Sequence, residues 1–152
     1  MKLNIICVGK LREKYLIEAG NEYLKRLQRF CEVKITELSD EKDDDPNAIE
    51  IEGKRILDRI EPKDYIICLC IEGKQFDSIG FSRKITETFD SGRSTVDFII
   101  GGSLGLSKSV KDRGDLLLSF SKMTFTHQMM RVILLEQIYR AFKIEKNETY
   151  HK

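Results

Sequence analysis

Two short stretches hold most of the residues able to do chemistry. The first is Gly101-Gly102-Ser103-Leu104-Gly105, which continues directly from the apolar run Val96–Ile100. Parallel α/β folds bind ligands in loops that leave buried strands in this way, and glycine lets the backbone approach a ligand closely. The spacing is not the GxGxxG dinucleotide fingerprint, and no Gly-Lys-Ser/Thr ends it as in a P-loop. A plain tight turn is the competing reading. The second stretch is LSFSKMTFTHQMMR, from Leu118 to Arg131. It leaves an apolar strand through a polar, basic turn and enters a helix that Thr124 or Thr126 can cap. Beside the glycine loop, it would wall the other side of a nucleoside pocket.

The chain has only two histidines, His127 and His151. His127 opens the last helix, where it is equally a surface first-turn residue. Arg131 and Arg140 lie on that helix between its apolar stripes, suited either to a carboxylate or to a phosphate. The ending Tyr150-His151-Lys152 is chemically rich, although a disordered tail is the alternative. Of the cysteines, Cys7, Cys68 and Cys70 sit in strand-like apolar runs, with Cys31 apart. Cys68-x-Cys70 points both thiols to one strand face, and no histidine is nearby, so buried free thiols are expected and no metal site. Free thiols without an export signal suit a reducing, cytoplasmic compartment.

Alternating elements must position these groups. Leu3–Val8 reads as a strand, Glu13–Arg29 as an amphipathic helix, and Glu32–Leu38 as a second strand. The acidic run Asp40–Asp45 is a loop, and Pro46 suits the first turn of a helix to about Ile60. Tyr65–Ile71 is a continuous apolar run, as in a strand covered on both faces. After Glu72-Gly73-Lys74 come a helix over Ser78–Asp90 and a strand over Val96–Ile100. A short helix at Lys108–Arg113 and a strand at Leu116–Phe120 precede the last helix, Thr126–Glu145. The pattern implies an α/β sandwich with a largely parallel sheet, as a single domain over residues 1–152. The last helix carries two apolar stripes. Met130, Ile133, Leu134, Ile138, Ala141 and Ile144 form one, and Val132, Leu135, Tyr139 and Phe142 the other. One stripe can pack on the sheet, and the second is expected to make a homodimer.

Composition narrows the class. A hydrophobic fraction of 41% beside 34% charged residues is that of a globular protein rather than a disordered one. No apolar run is long enough to span a membrane, and Met1–Val8 is too short for a secretory signal, so no membrane partner is expected. Net charge is +1, but its distribution is uneven. Glu37–Glu52 holds eight acidic residues against one lysine, whereas Ser103–Lys152 holds nine Lys or Arg against five Asp or Glu. A basic C-terminal third is either a solvated face or a surface for a polyanion.

The chain resembles the RlmH family of the SPOUT superfamily, methyltransferases that act on a pseudouridine of large-subunit ribosomal RNA. The resemblance spans the whole chain and rests on KLNIICVGKLREKY, FIIGGSLGLS, LSFSKMTFTHQMMRVILLEQIYRAFKI and the terminal Tyr150-His151-Lys152. The family pattern has proline where this chain has Thr126. The resemblance implies a C-terminal trefoil knot, an exception to ordinary chain topology. It also implies S-adenosyl-L-methionine bound by Leu69, Gly101 and the loop Phe120, Ser121, Lys122, Met123, Thr124 and Phe125.

On that reading the reaction is methyl transfer to N3 of a pseudouridine in 23S ribosomal RNA, on the assembled ribosome. The N3 proton is weakly acidic, so a base or an anion-stabilising cation is needed. The candidates are His127, His151, Arg131 and Arg140. His151 with Arg140 is preferred as the catalytic pair, with Arg131 and Lys152 as RNA contacts. In a homodimer one subunit's tail would complete the other's site. A non-catalytic ribosome- or RNA-binding protein is the alternative, and a small-molecule nucleotide enzyme is a third.

Overall fold

The computed structural model describes residues 1–152. Its strands are β1 (Lys2–Val8), β2 (Glu32–Leu38), β3 (Tyr65–Lys74), β4 (Thr95–Ile100) and β5 (Leu116–Leu118). Its helices are α1 (Lys14–Leu27), α2 (Ala48–Leu57), α3 (Ser78–Asp90), α4 (Lys108–Arg113) and α5 (His127–Glu145). The strands form one sheet in the order β2-β1-β4-β3-β5, parallel throughout. Parallel sheets are covered on both faces, which accounts for the apolar runs of β1, β3 and β4.

Successive strand residues point to opposite faces. Leu3, Ile5, Val96 and Phe98 therefore pack with Leu27 of α1, Phe81 of α3 and Leu134 of α5. Ile6, Val8, Ile66 and Ile99 pack with Ile56 of α2 and Val110 of α4. The result is three layers, with the carboxyl ends of all five strands at one edge. The loops that follow β1, β3, β4 and β5 meet there.

The departures from the sequence pattern have local causes. α2 begins at Ala48 instead of Pro46, because the Asp45 side chain and carbonyl accept from the Asn47 and Ala48 amides and turn the chain first. β3 runs past the expected Ile71 to Lys74, with a register break in which both Leu69 and Lys74 pair with Leu118. Gly73 permits this, since a Cβ there would lie 2.6 Å from the carbonyl carbon of Leu118. Thr126 is the N-cap of α5, its hydroxyl accepting from the Met129 amide at 3.2 Å. Its φ of −62° is one that proline also adopts, so threonine keeps the backbone and adds a cap.

The homodimer argument from α5 is corrected. Most of both stripes is covered within this chain, because α5 lies between α1 and α3 on the sheet, while Val132, Ile133 and Ile144 are half-buried. Leu135 is 0% exposed, and Tyr139 and Phe142 are also buried. Phe30 stacks on Phe142 at 5.4 Å, and Tyr23 lies 6.2 Å from Tyr139. On the other flank the Ser82 hydroxyl donates to the Ala141 carbonyl at 2.6 Å. Charged residues at Leu135 and Tyr139 would therefore disrupt the core rather than separate subunits.

One buried polar pair interrupts the α2/α4 side of the sheet. The Asn4 amide donates to Asp97 Oδ1 at 2.7 Å across the β1/β4 register. Asn4 Oδ1 and Asp97 Oδ2 have no partner, and Asp97 is 0% exposed. Burial raises the Asp97 pKa from 3.8 to about 6; the Asn4 bond, Arg113 and Lys2 oppose the rise and Asp64 adds to it. The native state thus binds the proton more tightly than the unfolded chain does. Stability from this group is full below about pH 4, falls as pH rises to about 6, and is level above that. Urea unfolding from pH 4 to 7 should show this decline in the wild type relative to Asp97→Asn, whose amide can serve as the missing donor. Identical pH profiles would mean that the proton on Asp97 does not matter to stability.

Candidate functional site

The loops at the carboxyl edge enclose a cleft of about 980 Å³. That is at the upper end of the range for small-molecule sites. β3, β4 and β5 contribute Leu69, Ile100 and Leu118, and the glycine loop forms one wall. The segment from Ser119 to Gln128 forms the facing wall, and Glu13, Tyr15 and Leu16 close a third side. Among the expected ligand-binding residues, Leu69, Gly101, Phe120, Ser121, Met123, Thr124 and Phe125 line the cleft. Lys122 sits in the same loop but is not part of the lining, and it is exposed.

The glycine loop is both a tight turn and a cleft wall. Gly102 and Gly105 bridge, with the Gly105 amide donating to the Gly102 carbonyl at 3.1 Å. Gly105 has a φ of +82°, the left-handed region that favours glycine. Gly101 is constrained by space instead: a Cβ there would lie 2.7 Å from the Gly105 carbonyl. Its neighbour Ser103 donates to Asp43, which ties the acidic loop after β2 to the glycine loop. Across the cleft, the Ser119 hydroxyl donates to the Ser121 carbonyl at 2.9 Å, and the Ser121 hydroxyl accepts from the Met123 amide at 2.9 Å. Phe120 stands edge-on to Phe81 at 6.1 Å. Both walls are thus held by internal bonds of their own.

Several lining residues carry no signal in the sequence alone. Cys70 and Glu72 line the cleft from β3, Glu72 because the strand continues past the expected Ile71. Glu72 pairs with Lys111 of α4, which holds its carboxyl below the usual range. Burial, with Glu72 adding to it, pushes the Cys70 thiol up. Glu13 and Tyr15 reach the cleft from the start of α1, where only an amphipathic pattern was visible.

The two histidines part company. His127 lines the cleft and packs against Gly9, where a Cβ would lie 3.2 Å from Nε2. His151 lines a second depression of about 400 Å³, with Phe76, Ile133 and Gln137. Leu118, Ser119 and Phe120 border both spaces, so a single wall separates them. Arg140 is brought to His151, its Nη1 lying 3.5 Å from Nδ1. The tail is docked rather than frayed. The Tyr150 hydroxyl donates to Glu136 at 3.1 Å, Arg140 donates to the same carboxylate oxygen at 2.5 Å, and the Arg140 guanidinium lies 4.8 Å over the Tyr150 ring. Burial, then Tyr23 and Glu136, raise the Tyr150 pKa. Lys152 is exposed at the very end.

Arg131 does not fit an RNA contact, and that expectation is corrected. Its side chain is 3% exposed, with Nη1 donating to Glu37 Oε2 at 2.6 Å and Nη2 to the Gly9 carbonyl at 3.0 Å. Glu37 also accepts from the Leu11 amide at 3.1 Å. Burial works against the Glu37 carboxylate, but these bonds outweigh it and lower its pKa. The arrangement locks α5 to the exits of β1 and β2 directly behind the cleft.

A model of the family described as predicted SPOUT methyltransferase matches residues 1–151. The chain is 53% identical to the ribosomal RNA large subunit methyltransferase H of Streptococcus agalactiae serotype III (strain NEM316), over 159 residues and the full length of both chains. It is 51% identical to the protein of the same name in Streptococcus pneumoniae (strain CGSP14), again over the full length of both.

The Arg131 lock generates a stability test. Glu37→Ala strands a buried guanidinium, a change that costs about 3–5 kcal/mol in buried pairs and less here because Glu37 is partly exposed. The double variant Glu37→Leu/Arg131→Met should recover much of that loss, since it removes both charges. Denaturant unfolding of the three proteins checks this. A Glu37→Ala midpoint equal to wild type would mean that the pair contributes nothing.

Proposed function

The chain belongs to the SPOUT methyltransferase family, and from that premise we propose that it methylates N3 of a pseudouridine in 23S ribosomal RNA on the assembled ribosome. The observation that carries the reading is the cleft, whose two principal walls are the glycine loop and the Ser119–Gln128 segment. S-adenosyl-L-methionine, the methyl donor of this family, supplies an activated methyl group on a sulfonium centre. The residues present fit it. The cleft has the volume for a nucleoside with an amino-acid arm, apolar surface at Leu69, Leu104 and Phe120, and backbone brought close by the packing of Gly101 on Gly105. The trefoil knot follows from family membership.

The chain's own task is then alignment and handling of the N3 proton. Alignment in a rigid site can supply roughly 7–11 kcal/mol of a barrier. His151 is the base in this reading, and Arg140 balances the charge left on the pyrimidine. At 3.5 Å their contact is at the limit of a hydrogen bond, so the imidazole is free to turn. Glu136 and Tyr150 hold Arg140 on its other side.

The protein acts as a homodimer in a single domain of residues 1–152. The support is no longer the second stripe of α5. It is the exposed apolar rim at Tyr15, Met123, Phe125 and Met129, together with a tail that lies beyond the wall from its own cleft. A partner's tail would complete each cleft. A ribosomal substrate suits the cytoplasm. A non-catalytic RNA-binding role leaves the enclosed cleft without a purpose.

Calorimetry and methyl-transfer assays test the reading together. Wild type should bind S-adenosylmethionine at micromolar concentration. Gly101→Ala should lose that binding while retaining its circular dichroism, because the added methyl group displaces the glycine loop. Removing Tyr150, His151 and Lys152 should leave cofactor affinity unchanged, but lower single-turnover methyl transfer to ribosomes by about 10²–10⁴-fold. A truncated protein at the wild-type rate would remove the tail from the mechanism, and absence of cofactor binding in wild type would overturn the enzyme itself.

A further inference from the structure

The basic excess of the C-terminal third is almost entirely spent inside the molecule. Among its nine Lys and Arg, Lys108, Lys111, Arg113, Arg131, Arg140, Lys143 and Lys146 each pair with a carboxylate. Lys122 and Lys152 are left without one. A polyanion therefore has little to grip on α5, and unpaired cations beside the cleft, other than Lys122, must come from elsewhere in the chain.

They come from the loop between β1 and α1. Lys10 and Arg12 are both exposed and have no carboxylate within salt-bridge distance. Their loop leads directly into Glu13, Tyr15 and Leu16, which line the cleft. The loop is also anchored at Gly9, Leu11 and Arg12. Gly9 donates its amide to Leu38 at 2.8 Å and accepts Arg131 at its carbonyl. Leu11 donates to Glu37, and Arg12 donates its amide to the Gln128 side chain at 3.3 Å. Gln128 belongs to the wall that carries Lys122. Lys10, Arg12 and Lys122 thus stand on two adjoining, anchored segments of one lip.

The lip on the other side has the opposite sign. The loop after β2 carries Asp40, Glu41, Asp43, Asp44 and Asp45 and is tied to the glycine loop through Asp43 and Ser103. Glu41 alone is neutralised, by Arg55. A chain of phosphates is repelled from the glycine-loop side and attracted to the other.

We propose that Lys10 and Arg12, with Lys122, form the phosphate rail that lays the RNA backbone along the β1–α1 lip of the cleft, so that the target base enters away from the acidic loop. The proposal rests on the ribosomal RNA reading for the identity of the polyanion. Anchoring matters because a phosphate contact positions the substrate only when the cation's support is rigid.

The experiment compares wild type, Lys10→Ala/Arg12→Ala and a control, Lys63→Ala/Arg59→Ala, whose cations are exposed at the opposite end of the strands. The probe is ribosomes purified from cells lacking this methyl group. Binding is measured by cosedimentation over a salt series, and methyl transfer on the same samples. The rail variant should bind at least tenfold more weakly, with a salt slope reduced by about 1.4–1.8 for two phosphate contacts. Its S-adenosylmethionine affinity and unfolding midpoint should equal wild type, and the control should not change. A rail variant with the wild-type affinity and slope overturns the rail while methyl transfer by wild type leaves the enzyme reading intact. Conversely, a slope lost in the rail variant with no methyl transfer by wild type upholds the rail and overturns the enzyme reading. Equal weakening in the control overturns the rail, because the charge effect would then be non-local.

Discussion

The structure depends on the burial of α5 between α1 and α3, over the central strands of the sheet. A helix covered on three sides needs apolar residues around most of its circumference, which is why it carries two stripes in place of one. Its amino end supplies His127 and Gln128 to the cleft, and its carboxyl end carries Glu136, Arg140 and the docked tail. Any rotation of this helix would move the cleft wall and the tail at once. Arg131 prevents that. Its buried guanidinium reaches across to the partly exposed Glu37 and to the Gly9 carbonyl, so the helix position is fixed relative to the strand exits. Apolar packing alone is nondirectional and would permit small rotations, whereas this pair specifies one.

The cleft follows from that constraint. The loops that form it are short, and each closes on itself before it meets a ligand: Gly105 on Gly102, Met123 on Ser121, Ser121 on Ser119. A site organised in this way loses little conformational entropy on binding, which leaves more of the interaction energy for alignment. The requirement for glycine at position 101 has the same origin. The residue is needed so that the loop can fold against its own backbone, and the closeness of that backbone to the cleft is the consequence.

What could be read from the sequence was whatever depends on neighbours in the chain. The apolar run before Gly101, the polar turn after Leu118 and the helical periodicities are local, and α3 and α4 begin and end where the pattern puts them. The facts that eluded it join residues far apart. Arg131 and Glu37 are 94 residues apart, so nothing near Arg131 signals that it is buried and paired. The second stripe of α5 looked unpartnered because its cover, Tyr23 and Phe30, lies more than a hundred residues earlier. Gly73 fell outside the expected strand because its real constraint, the backbone of β5, is 45 residues on. The glycine loop and the Phe120–Phe125 loop were legible as a pair only because both leave strands of one parallel sheet. Family resemblance supplied what periodicity could not, namely the cofactor and the knot.

Buried charge serves two different ends in this molecule, and their placement is consistent with the function. Asp97 sits in the amino half of β4, outside the cleft lining, and carries a carboxyl that lacks a cationic partner in direct contact. Its charge is therefore costly, and the protein tolerates it where only stability is affected. Glu37 and Arg131 sit at the opposite edge, behind the cleft, and there each charge has its counterpart. An unpaired buried charge at that edge would make the position of the β1–α1 loop vary with pH near neutrality. A paired one keeps the loop in place across that range, since Arg131 helps to hold Glu37 below the usual carboxylate value. The cations on that loop can then present a constant geometry to a partner whose phosphates are also fully ionised.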